Sequence, residues 1–114
     1  MLASKYRLKD YKVLKNIQNE GKLIQSESFG LVYTNRNDTE MSKFGFVVST
    51  KISKQSAHRN RIRRALNEGV RINLAYIRGG YDVIFLTKPA ALKIPTEGIM
   101  GEVRKSLTEV GVIK

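Results

Sequence analysis

The chain has no cysteine, which excludes disulfides and cysteine-ligated zinc. Its one histidine, His58, cannot build a histidine metal site. No apolar run approaches the roughly 20 residues a membrane helix requires. The N-terminal stretch MLASKYRLKDYKVLK is basic and has no apolar core, which is not the pattern of a signal peptide. The expected location is therefore cytoplasmic, and Asn37-Asp38-Thr39, formally a glycosylation sequon, reads as a turn. Acids are also scarce: ten in all, of which Asp10, Asp38 and Asp82 are the only aspartates. No two of them share a helix face near His58, so the converging carboxylates of a metal-dependent hydrolase are not suggested. There is no Gly-x-Ser-x-Gly, phosphate-binding loop or dinucleotide fingerprint. No residue is assigned a catalytic role.

What the chain has in excess is positive charge. Lys and Arg number 21, giving a net charge of +11 and a sequence pI near 10.1. Apolar residues make up 41% and charged residues 27%, the balance of a globular domain. At 114 residues a single domain, spanning 1–114, is expected to close one hydrophobic core. A basic domain of this kind favours nucleic acid as its partner over a membrane, because its basic helix lacks the broad aromatic and leucine-rich face of a membrane-surface helix.

The charge is concentrated and phased. From Lys51 to Arg71 there are seven basic residues and one acid, Glu68. With helical spacing, Ile62, Ala65, Leu66, Gly69 and Asn73 fall on one face. Asn60, Arg64, Asn67, Arg71 and Arg78 fall on the other, with Arg61 and Arg63 on its flanks. Acids at pairing distance are almost absent, so the arginines repel one another unless an anion lies across them. Guanidinium forks match phosphate oxygens, so the partner is read as a polyanion. The blander reading is a solvated helix face.

The remaining pattern predicts a first helix over about Asp10 to Glu20, stopped by Gly21, and a short edge strand at Leu23-Ile24. Ser28 to Thr34 alternates, with Phe29, Leu31 and Tyr33 on one side. Phe44, Phe46 and Val48 alternate likewise after the polar turn Asn35 to Glu40. These two runs read as a hairpin. The four aromatics could stack bases, but their shared bulky face fits a core better. The basic helix is expected to start with Ser56 as its N-cap and to run toward Gly79-Gly80. Tyr81 to Leu86 reads as a strand buried on both sides apart from Asp82, and Pro95-Thr96 opens a last helix. The fold class is α+β, a small two-layer sandwich on a mostly antiparallel sheet, in the order α-β-β-β-α-β-α.

These residues resemble the protein subunit of bacterial ribonuclease P. The resemblance rests on Lys51-Ile52-Ser53-Lys54 followed by Arg59-Asn60-Arg61-Ile62-Arg63-Arg64. It is extended by Arg7-Leu8, Phe29, the run Lys43 to Ser49, Tyr81 to Ile84 and Lys88-Pro89-Ala90, over nearly the whole chain. It implies a fold like domain 2 of ribosomal protein S5, with a left-handed β-α-β crossover, where general topology would favour the right-handed form. It implies a protein that assists a catalytic RNA in removing 5′ leaders from precursor tRNA, with Mg2+ held by the RNA and not by protein ligands alone. Catalytic RNA and precursor tRNA are thus the implied partners, and no DNA or membrane partner is expected. The matched positions for the catalytic RNA are Lys51, Lys54, Arg59, Asn60, Arg61, Arg63 and Arg64, to which the helical phase adds Asn67 and Arg71. A cleft for the single-stranded leader would be formed by Leu14, Gln18, Val32, Val47, Ser49 and Lys51. The family commonly has aromatics at the first three, so stacking is weakened here or moved to Tyr11 or Tyr33. The alternative is a ribosomal-type RNA-binding module without processing activity. A groove-reading DNA regulator and a self-sufficient nuclease fit the sequence less well.

Overall fold

A computed structural model describes residues 2–114. Among them are three α-helices: α1 (Tyr11–Glu20), α2 (Ser56–Arg71) and α3 (Thr96–Glu109). Four strands make one sheet: β1 (Lys22–Gln25), β2 (Phe29–Asn35), β3 (Lys43–Val47) and β4 (Tyr81–Thr87). Short 3-10 turns cover Ser4–Tyr6, Leu74–Tyr76 and Pro89–Lys93.

The sheet order is β1-β2-β4-β3, so the expected β2–β3 hairpin does not form. β4 lies between the two strands, antiparallel to β2 and parallel to β3. Alternation fixed which side chains share a face, but it carries no information about which strands are neighbours. The signal for the middle position was in β4 itself, whose Val83, Ile84 and Phe85 are all fully buried. A strand apolar on both faces belongs at the centre of a sheet covered on both sides. The sheet is therefore mixed, and β3, α2 and β4 form a parallel β-α-β unit.

The connection from β2 to β3 must cross the end of β4, and Arg36 holds it there. Its guanidinium pairs with Asp82 on β4 and donates to the Tyr81 carbonyl at 3.0 Å, to Asp38 at 3.0 Å and to the Met41 carbonyl at 2.8 Å. Asp82 is only 9% exposed while Arg36 is half-buried, so loss of the guanidinium would leave a largely buried carboxylate without its partner, a destabilising change. Both sheet edges differ from the middle. The outer edge of β3 is covered by the N-terminal segment, where the Leu8 N–H donates to the Phe44 carbonyl at 2.8 Å. β1 is the open edge, kept short and flanked by exposed Lys22 and Gln25.

The two sheet faces bury separate sets of side chains. On one, Phe29, Leu31, Phe44, Val83 and Phe85 pack beneath Ile62, Leu66 and Val70 of α2 and Ile99, Val103 and Leu107 of α3. Phe85 meets Phe29 edge-on at 5.0 Å and stacks on Phe46 at 5.5 Å, so these aromatics are core and not a base platform. This is the two-layer sandwich expected from the pattern. α1 adds cover on the opposite face, where Ile17, Val32 and Ile84 are buried with Leu8, Leu14, Val47 and Leu86. α1 is capped by Asp10, which accepts from the Lys12 N–H at 2.9 Å. Its close approach depends on Gly45, where an added Cβ would meet Leu14 Cδ2 at 2.6 Å.

α3 also ties down the β1–β2 turn. The Glu102 carboxylate accepts from the Ser28 N–H at 2.8 Å and from the hydroxyls of Ser26 and Ser28. Burial alone would raise its pKa, but the hydrogen bonds from Ser26 and Ser28 outweigh it and hold the group below the ordinary value of 4.5. A depressed folded-state pKa contributes stability above the unfolded value, and this stability is lost as pH falls through the folded one. Urea midpoints measured from neutral to acid pH are therefore expected to fall more steeply for the natural chain than for Glu102→Gln. Parallel curves would remove Glu102 from the acid response.

Candidate nucleic-acid interface

The surface of interest is built on α2. Val48 and Ile52 are buried on either side of exposed Ser49, Thr50 and Lys51, which holds the β3–α2 loop close to the core. Ser53 organises the helix start: its Oγ accepts from the Gln55 N–H at 3.1 Å, and its carbonyl accepts from Arg59 at 2.7 Å. Ser56 is the first helical residue and Gln55 occupies the cap position, one residue earlier than expected. The helix ends at Arg71 instead of continuing toward Gly79-Gly80. Asn73 is buried there and bonds the Gly69 carbonyl at 2.7 Å. Arg78 consequently lies off α2, in the strand approach where its N–H donates to the Val112 carbonyl.

The inward face is as the phase predicts: Ile62, Ala65, Leu66, Gly69 and Asn73 are all buried. Asn60, Arg64 and Arg71 are exposed opposite them. Asn67 is not. It is 2% exposed, and its Nδ2 donates to the Arg63 carbonyl at 2.8 Å, so it cannot reach a partner molecule. The buried sector is wider than the apolar stripe suggests, taking in Val70 and the neighbouring Asn67.

The cations divide into two groups. Arg61 is turned onto the chain, donating to the carbonyls of Ala91 at 3.3 Å, Leu92 at 3.4 Å and Ile94 at 3.2 Å and to Thr96 Oγ1 at 3.4 Å. Arg71 is held by Glu68, its Nε at 2.9 Å from both carboxylate oxygens. That bond lowers the Glu68 pKa and raises that of Arg71. Lys51, Lys54 and Arg64, by contrast, are exposed and make no side-chain hydrogen bond or ion pair among the described residues. Arg63 bonds only the neutral Asn60, at 3.1 Å. His58 is exposed beside Ser53.

The expected leader cleft is only partly assembled. Leu14 and Val47 are half-buried in one apolar cluster under α1, and Gln18, Ser49 and Lys51 are exposed nearby in the chain. Val32 is 3% exposed beneath α1, sealed by Ile17 and Ile84, and is removed from the list of accessible cleft residues. Tyr33 packs on the opposite sheet face with the main core, so it cannot stand in for a stacking aromatic under α1. Tyr11 can: it is 68% exposed on α1, with Lys15 Nζ 5.4 Å from its ring centre. Sequence reasoning did not single out Arg36, Glu102 or Thr96. Tyr81 and Asp82 for Arg36, Ser26 and Ser28 for Glu102, and Arg61 for Thr96 lie tens of residues away, beyond the reach of any local pattern.

A sequence model of the family described as Ribonuclease P matches residues 2–111. The chain belongs to the bacterial ribonuclease P protein family. It is 34% identical over 82 residues to the ribonuclease P protein component of Caldanaerobacter subterraneus, covering 72% of this chain and 69% of that one. It is 27% identical to the component of Cyanothece sp., covering 99% of this chain and 98% of the relative. The same fold is found in the RNase P protein of Staphylococcus aureus, with a TM-score of 0.86 at 23% identity over 96% of this chain and 98% of that one. For the Thermotoga maritima RNase P protein the TM-score is 0.79 at 23% identity, covering 90% and 96%. The Arg-Asn-Arg block that carried the resemblance thus sits in a ribonuclease P protein, with Arg59 and Arg61 both directed at backbone carbonyls and Asn60 facing out.

The division of arginines predicts different stability effects. Arg61→Ala strips charged hydrogen bonds from four acceptors and is expected to destabilise by about 1.5–3 kcal/mol. Arg64→Ala is expected to stay within about 0.5 kcal/mol. Urea denaturation of the two variants separates them, and equal midpoints would contradict the assignment.

Proposed function

We propose that this ribonuclease P protein binds the catalytic RNA and the 5′ leader of precursor tRNA, assisting endonucleolytic release of the leader while the RNA carries out the chemistry. The observation that carries the reading is the row of uncompensated cations along the outer side of α2 and its preceding loop. Lys51, Lys54 and Arg64 are exposed on a backbone fixed by a fully buried inner face, and half-buried Arg63, bonded only to Asn60, stands beside them. Exposed Asn60 lies in the same row, and half-buried Arg59 adds its charge there while donating to the Ser53 carbonyl. Such a surface lowers the repulsion between two RNA molecules and gains affinity by releasing their counterions.

Hydrolysis of the scissile phosphate needs an activated water and stabilisation of developing charge. The protein's contribution is positional, because its interface is cationic and, among the described residues, offers no carboxylate cluster near α2. Mg2+ is assigned to oxygens of the RNA, whose ligand chemistry suits it. The leader would run past Lys51 and Ser49 along Leu14, Gln18 and Val47, with Tyr11 as the available stacking surface. With Leu14 and Gln18 where aromatics are common, and Val32 sealed, the leader side is weak relative to the catalytic-RNA side. Stacking contributes roughly 1–3 kcal/mol per base where it occurs.

The test is reconstitution with the cognate catalytic RNA at low Mg2+. Precursor tRNA cleavage is expected to rise on adding the protein, and the gain to shrink as Mg2+ is raised. No gain at any Mg2+ concentration would leave a ribosomal-type RNA-binding module as the better reading.

A further inference from the structure

Beside α2, on the flank away from Asn60 and Arg63, an open cavity of about 430 Å³ separates the helix from the start of α3. Arg61, Arg64, Ala65, Glu68 and Thr96 line it. Its electrostatics turn on one detail of helical spacing. Glu68 stands four residues after Arg64, the separation at which a carboxylate and a guanidinium pair on a helix surface. It does not pair with Arg64. Its carboxylate is taken on both oxygens by Arg71, three residues further on, in a fork with Nε and Nη2. The sole acid in the basic segment, although it lines the cavity, is thereby paired with Arg71 and not with Arg64, and Arg64 keeps all its donors.

We infer that this cavity seats an RNA phosphate, with Arg64 as its ligand, Arg71 as the residue that keeps Glu68 off Arg64, and Arg61 as the residue that fixes the far wall. Arg61 is not a ligand: its forks are occupied by Ala91, Leu92, Ile94 and Thr96, which holds the α3 start against α2. Thr96 Oγ1 accepts from Arg61, so its own proton is free to donate to a phosphate oxygen. RNA would then touch both flanks of α2, and Arg71 would act on it only through Glu68. The inference rests on the catalytic-RNA reading above and divides its residues into ligands and positioning groups.

The experiment is the salt dependence of catalytic-RNA affinity for a small set of surface variants. Arg64→Ala is expected to lower the slope of log K against log salt by about 0.7–0.9, a loss of about tenfold in affinity near 0.1 M salt. Arg71→Ala is expected to weaken binding to a similar degree, because Glu68 is released to Arg64. Adding Glu68→Gln to Arg71→Ala is expected to restore the affinity and slope. Adding Glu109→Gln, which removes one acid at the far end of α3, is expected to restore neither. An unchanged slope for Arg64→Ala overturns the site, as does a double variant Glu68→Gln with Arg71→Ala that stays weak, or equal rescue by Glu109→Gln. If Lys54→Ala lowers the slope while Arg64→Ala does not, the cavity site falls and RNA binding by α2 stands. If the unaltered protein fails to bind the RNA, both fall.

Discussion

Everything that α2 presents depends on β4 lying between β2 and β3. With β3 and β4 parallel, the chain must leave one end of the sheet and return to the other, and α2 is that return. Its inner face is then committed to Phe85, Val83 and their neighbours, which leaves the opposite side no choice but solvent. The Arg36–Asp82 pair belongs to the same constraint, because it anchors the loop that must step over β4. A hairpin between β2 and β3 would have removed both the crossover and the rigid platform for the basic residues.

The arginines of one short motif do unlike work, and burial and partner geometry decide which does what. A guanidinium has five donors, enough to bind a second molecule or to gather several carbonyls of its own chain, but hardly both. Arg61 gathers carbonyls. Arg64, one turn later on the same flank, gathers nothing from its own chain. The distinction matters for the energetics, since an internally satisfied arginine changes affinity by altering shape, whereas a free one changes it through counterion release.

Much of this was legible in the residues. Alternation placed Phe29, Leu31 and Phe44 on one face and Val32 on the other, and the helical phase placed Ile62, Leu66 and Gly69 inward. Gly21 and Asp10 marked the ends of α1. The strand order was less accessible: the polar turn Asn35 to Glu40 looks the same whether it closes a hairpin or steps over a third strand. Asn67 was misplaced because a polar residue on a charged helix gives no sign of the extra width of the buried sector. The Glu68–Arg71 fork was hidden for a different reason. Two arginines compete for one carboxylate at spacings of three and four, and only the folded geometry chooses.

The central claim is that RNA lies along the outer side of α2 and its preceding loop, with the outer surface of α3 left bare. Lysine acetylation, read residue by residue with and without the catalytic RNA, addresses it most directly. Lys51 and Lys54 are expected to be shielded by the RNA while Lys105, exposed on α3, goes on reacting as in the free protein. Shielding of Lys105 with Lys51 and Lys54 still reactive would contradict the account.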